Sequence, residues 1–178
     1  MILFFLGFPF VLFDYTYAFG NHVINFIPDF IGYIMFIFGC IGMRKENSHF
    51  IHVRNLSIFL GVWSIVATVV QAIGISIPTI WTTIIDIAAS LLMLLMAYKL
   101  YEGVRFLERS IERPIGATQL SYTWIALSAG KLIHYFAYIF ENTTFDRIFT
   151  LLEVLCFLTF EYALFYIVVA LRRKPKQQ

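Results

Sequence analysis

Charge is scarce in this sequence: Asp, Glu, Lys and Arg make up 13% of its 178 residues, about half the share of a soluble domain. So few polar side chains could not cover a water-facing surface, which excludes an ordinary soluble globule. Cysteine is scarcer still. Cys40 and Cys156 each sit inside an apolar run without CxxC spacing, so neither a disulfide framework nor a zinc site is expected, and both read as small buried hydrophobes. The sequence has no HExxH, GxSxG, P-loop or dinucleotide glycine fingerprint. No catalytic residue, metal, cofactor or nucleic-acid partner is therefore expected. His49 and His52 share a helical spacing in the basic stretch Arg44–Arg54, but without a further Cys or His they read as solvated residues rather than as metal ligands.

Apolar sequence is abundant: 60% of residues are hydrophobic and 19% aromatic. A bilayer core of about 30 Å takes roughly 20 apolar helical residues. Six segments satisfy this, namely Ile2–Phe19, Val23–Met43, Leu56–Ile75, Thr79–Leu100, Ala117–Phe140 and Phe145–Leu171. The expected fold is a single all-α transmembrane domain of six helices. The apolar Met1–Phe13 has no Lys or Arg before it, and Tyr17 and Phe19 flank the small-residue stretch awkwardly for cleavage, so a retained first span is preferred over a signal peptide.

Basic residues set the expected orientation. With the N-terminus inside, Arg44, Lys45, Arg54, Lys99, Arg105, Arg109, Arg113, Arg172, Arg173, Lys174 and Lys176 fall on the cytoplasmic side, eleven of the thirteen Lys and Arg. Aromatic residues form two matching belts, with Tyr15, Tyr17, Trp81, Tyr135 and Tyr138 outside and Tyr98, Tyr101, Tyr122, Trp124 and Tyr166 inside. The stretch Tyr101–Arg113 reads as a helix continuing into the cytoplasm. Its apolar Val104, Leu107 and Ile111 suit a surface helix on anionic headgroups, and a solvated extension fits equally well.

Ionisable residues within spans carry the functional information, because a charge at the bilayer centre costs about 2.5–3.5 kcal/mol and so faces protein or a cavity. Asp86, Lys131, His134 and Glu153 fall at similar depth in the outer half, and Asp14 and Asp29 approach that level from above, where acids near a boundary reach water. Lys131, His134 and Tyr138 form one stripe with Ser128 a turn away; Thr82, Asp86 and Ser90 form another; Glu153 and Glu161 share a third, beside Cys156. Asp29, Asp86 and Glu153 recur in the outer part of alternate spans, the pattern of three helical hairpins of similar plan.

The stretch Phe13–Met43, with IPDFIGYIMFIFG at its centre, resembles the opening of small multi-span bacterial membrane proteins of uncharacterised function. The resemblance implies a bacterial cytoplasmic (inner) membrane and no activity. In size and span count the chain is also similar to the substrate-binding subunits of vitamin importers. It lacks their alanine-rich first span, so membership is not implied.

Two readings of the polar residues follow. In the first, Asp86, Lys131, His134, Glu153, Tyr138 and Glu161 line an outward-facing pocket that binds or transports a small solute, with a coupling proton. In the second, Lys131 neutralises one acid and the pair fixes helix packing in an accessory subunit. Either is compatible with a homo-oligomer or a larger membrane partner in the lipid bilayer. An intramembrane acid–base enzyme acting on a lipid-borne substrate, with His134 working beside Glu153 or Asp86, is the least favoured.

Overall fold

The computed structural model describes residues 1–12, 16–19, 22–25, 29–43, 48–74, 78–139 and 143–172; the side chains of 12, 16–19, 22–25, 71, 79, 136–139 and 143–146 lie outside the description. Six helices are present in it: α1 (Ile2–Leu12), α2 (Phe30–Met43), α3 (His49–Ile73), α4 (Thr79–Ser110), α5 (Ala117–Ile139) and α6 (Thr143–Arg172). Stretches within α3, α4 and α6, namely His49–Val70, Ile80–Ser110 and Arg147–Arg172, are long and apolar enough to cross a membrane. Their outward surfaces carry exposed Phe59, Val62, Val69, Ile84, Leu151 and Leu155, a continuous apolar exterior that water would not tolerate and lipid would.

The first two segments differ from the sequence-based expectation. Ile2–Phe19 is not one helix: α1 ends at Leu12, and Thr16–Phe19 (β1) pairs antiparallel with His22–Asn25 (β2), Phe19 opposite His22. Likewise Val23–Met43 begins as strand, and α2 starts only at Phe30. At 1.5 Å per residue the 11 residues of α1 and 14 of α2 reach about 16 and 21 Å, short of the hydrocarbon core. The physical reason is local. Aromatic and β-branched residues flank the dipeptide Gly20-Asn21, a two-residue hairpin signal that outweighs the apolar periodicity. Pro9 inside α1 also removes one helical hydrogen bond just before the helix ends. A two-stranded hairpin has unpaired edges, so it cannot lie exposed to hydrocarbon.

Each helix packs on its sequence neighbour, and α6 returns against α1, closing a ring. Aromatic rings hold α1 in place. Phe8 meets Phe36 of α2 at 4.7 Å with the rings tilted and packs edge-on at 5.1 Å against Phe160 of α6, while Phe4 meets Phe36 and Phe50 of α3 at 6.0 and 6.1 Å. Cys40 joins this core, whereas Cys156 is half-buried beside Gly130. Between α1 and α2 the backbones touch at a glycine pair. A Cβ on Gly32 would stand 2.5 Å from the Gly7 carbonyl oxygen, and one on Gly7 would stand 2.9 Å from that of Gly32. Small residues permit such approach.

The far end is tied by polar contacts. Glu102 of α4 accepts from Lys99 Nζ at 2.6 Å and faces His49 Nδ1 of α3 at 3.5 Å. Trp124 of α5 donates Nε1–H to the Leu94 carbonyl at 3.0 Å. Helix α4 continues through the basic stretch to Ser110, but Val104 and Leu107 are buried in the bundle core. Two of its three apolar residues therefore pack on protein, while Ile111 stays exposed. Glu108 then reaches across the turn, its Oε2 accepting from the backbone N–H groups of Ile115, Gly116 and Ala117 at 2.8, 2.9 and 3.0 Å. Those are orphan donors at the start of α5, in a turn that needs positive φ at Glu112 and Gly116.

Two outcomes are expected of the purified chain in detergent. Gly32→Ala forces a Cβ into a backbone carbonyl and should lower stability by about 1–3 kcal/mol, read as a fall in Tm. Glu108→Ala leaves three backbone donors without their acceptor and should cost about 1–3 kcal/mol, whereas Glu108→Gln, which keeps an acceptor oxygen, should recover part of that loss.

Candidate functional site

A cavity of about 620 Å³ opens where α1 ends and α2 begins. Val11, one residue before the end of α1, and Asp29 and Tyr33 at the start of α2 form one side. Helices α4, α5 and α6 supply the other, through Thr83, Asp86, Ser90, Lys131, His134, Tyr135, Thr150 and Glu153. Asp86 is seven residues into α4 and Glu153 ten into α6, so the cavity lies about 10–15 Å below the ends of those longer helices. The shortness of α1 and α2 thus makes the space, and the β-hairpin is inserted in the chain between two of its lining residues, Val11 and Asp29.

Glu153 is the centre of the polar set. Its Oε1 takes Lys131 Nζ at 2.6 Å and its Oε2 faces His134 Nδ1 at 2.9 Å. Lys131 and His134 are three residues apart on α5, hence on one face, and Gly130 beside them lets α6 approach. A Cβ at Gly130 would already be 3.4 Å from Cys156 Sγ and 3.6 Å from the Glu153 backbone. All three side chains keep contact with the cavity, at 18% exposure for Lys131, 25% for His134 and 17% for Glu153.

The opposite wall is built around Tyr135. Its hydroxyl is hydrogen-bonded to Ser90 Oγ and also donates toward the Asp86 backbone carbonyl at 3.2 Å. Since Tyr135 is four residues after Lys131, the same face of α5 contacts both α6, through the ion pair, and α4, through the phenol. Asp86 itself is exposed along the cavity rim.

Of the residues singled out from sequence, Asp86, Lys131, His134 and Glu153 are brought together in this cavity, and Asp29, first read as a boundary acid, joins them. The acids of α2, α4 and α6 therefore meet in one space. Glu161 does not line it: two turns further along α6 it is buried, with neither carboxylate oxygen bonded among the described residues. Tyr138 is in α5, with its side chain outside the description, and Asp14 lies outside the described residues. Thr83, not Thr82, contributes to the lining on α4. Sequence reasoning missed Tyr135, Tyr33 and Thr150. The spacing Lys131–Tyr135 and Thr150–Glu153 carried a signal for two of them; Tyr33 had none, because it enters only through the fold. No protein family, curated protein or solved structure matches the chain, so its chemistry rests on this geometry.

A double-mutant cycle tests the pair. Removing one partner of a largely buried ion pair strands the other, at a cost of about 3 kcal/mol or more. Lys131→Gln and Glu153→Gln should each lower Tm, and the double variant should fall well short of the summed losses; additive losses would mean that the two side chains do not interact.

Proposed function

We propose that this chain is a multi-pass protein of a bacterial cytoplasmic membrane that binds or transports a small, positively charged solute in the cavity among its helices. In this reading the six helices alternate in direction with both ends in the cytoplasm, the short α1 and α2 reach only part of the way from the inner side, and the cavity mouth and β-hairpin face outward. The orientation draws support from the basic residues, eleven of thirteen of which it places inside.

The observation that carries the proposal is the charge balance of the cavity. Among the described residues three carboxylates, Asp29, Asp86 and Glu153, line it together with one lysine and one histidine, so acids outnumber bases and the described lining carries an excess of carboxylates. A cation-bearing solute lowers that excess, and in a low-dielectric surrounding opposite charges attract strongly. The volume of about 620 Å³ lies within the range of small-molecule sites. The reading includes a coupling proton, because an arriving cation and a proton compete for the same group of carboxylates.

Thermal unfolding of the purified chain against a panel of small amines, neutral solutes and small anions tests the reading. A cationic solute should raise Tm, by the equivalent of about 2.7 kcal/mol at a hundredfold excess over Kd, and Asp86→Asn should weaken the response while the protein remains folded. Uptake of protons should accompany solute release in a weakly buffered solution. Equal and null responses of wild type and Asp86→Asn to every amine would overturn the proposal.

A further inference from the structure

A second cavity lies at the opposite end of the α4–α5 pair. It measures about 290 Å³ and is lined by Tyr101, Arg105, Glu108 and Arg109 of α4 with Thr118, Ser121 and Tyr122 of α5, together with Ala117. Arg105 is 12 residues beyond Met93, the last α4 residue of the first cavity, hence about 18 Å away along the helix. The two spaces are separate.

We propose that this notch binds the phosphate group of an anionic lipid. Two arginines converge on it from one helix, four residues apart, and a guanidinium offers paired donors that match phosphate oxygens. Arg105 Nη1 donates to the Tyr101 hydroxyl at 3.3 Å, and Arg109 makes no side-chain ion pair among the described residues. Thr118, Ser121 and Tyr122 add three hydroxyls from the facing helix. The one acid present, Glu108, is already engaged. Its Oε2 is held by three backbone N–H groups of the turn, so it orders the notch wall, and its single charge offsets only one of the two arginines.

A lipid is favoured over a free phosphate by what surrounds the notch. Leu91, Tyr98 and Arg105 recur at seven-residue intervals along α4, and Ile125 stands seven after Thr118 and four after Ser121 on α5, so each set shares one helical face. Leu91, Leu95, Ile125 and Leu132 are exposed. Apolar strips therefore run from the notch along both helices, where acyl chains would lie. Between strip and arginines comes an aromatic layer: Tyr98 packs on Trp124 at 5.0 Å and on Tyr101 at 6.0 Å. Apolar strip, aromatic layer and arginines in that order follow the polarity of a bilayer from acyl chain to phosphate. The proposal holds whichever leaflet this end of the molecule meets, and it does not depend on the solute reading above.

The full chain, purified in an uncharged detergent, can be titrated with phosphatidylglycerol, phosphatidylcholine or inorganic phosphate, with bound lipid counted by native mass spectrometry. Phosphatidylglycerol should be retained at one molecule per chain and should outcompete phosphatidylcholine, whose choline cation meets two arginines. Arg105→Gln with Arg109→Gln should weaken that binding by about tenfold or more, the loss of charge-assisted hydrogen bonds. Arg172→Gln, which removes a positive charge elsewhere, should leave it unchanged. If the double variant does not fold, Ser121→Ala keeps both charges and should still weaken binding by about threefold. Displacement of the lipid by millimolar inorganic phosphate would identify a free phosphate as the occupant and overturn the lipid assignment. Equal retention by wild type and the arginine variants, or equal loss with Arg172→Gln, would overturn the site itself.

Discussion

The cost of a charge away from water governs this structure. Lys131, His134 and Glu153 belong to two helices whose outward faces are apolar, and the three groups resolve that cost by meeting, Glu153 taking both bases on its two oxygens. A carboxylate that satisfies two partners on one face of α5 sets the rotation of α5 against α6 as well as its height. Once α5 is so placed, its Tyr135 can only present its hydroxyl to Ser90 and the Asp86 backbone of α4. The register of three helices thus propagates from one acid.

Around that fixed set, the space exists because two helices stop. Phenylalanine rings and the Gly7–Gly32 contact press α1 and α2 against the ring, yet both helices end at the level of the ion pair while α4, α5 and α6 continue. A ring of six full-length helices would fill that level with side chains. Here the chain turns into a β-hairpin instead, and Asp29 and Tyr33 come to face the acids and bases of the other helices. Packing at one level and vacancy at the next are two results of the same short helices.

The other end of the molecule is closed by a different device. Glu108 joins the last turns of α4 to the first backbone donors of α5, which holds the arginines of α4 opposite the hydroxyls of α5. Both ends therefore use a carboxylate to lock α5, one to a neighbouring side chain set and one to its own N-terminus. Helix α5 lines both cavities, and a polar lock stands near each end of it.

Composition and periodicity were enough to determine a helical protein of membrane character, since scarce charge and long apolar runs admit few other outcomes. That Asp86, Lys131, His134 and Glu153 share one level was legible too, because helical rise converts residue number into height. Which acid takes Lys131 was not legible: Asp86 and Glu153 sit at like depth, and only the close approach at Gly130 brings α6 within 2.6 Å. The hairpin signal around Gly20-Asn21 was present in the sequence, but the apolar runs on either side of it are long enough that the first two spans read as full crossings. Tyr33, Asp29 and the notch of Arg105 and Arg109 became sites only through tertiary structure, because a cavity is a property of several helices at once and no single helix encodes where its neighbours end.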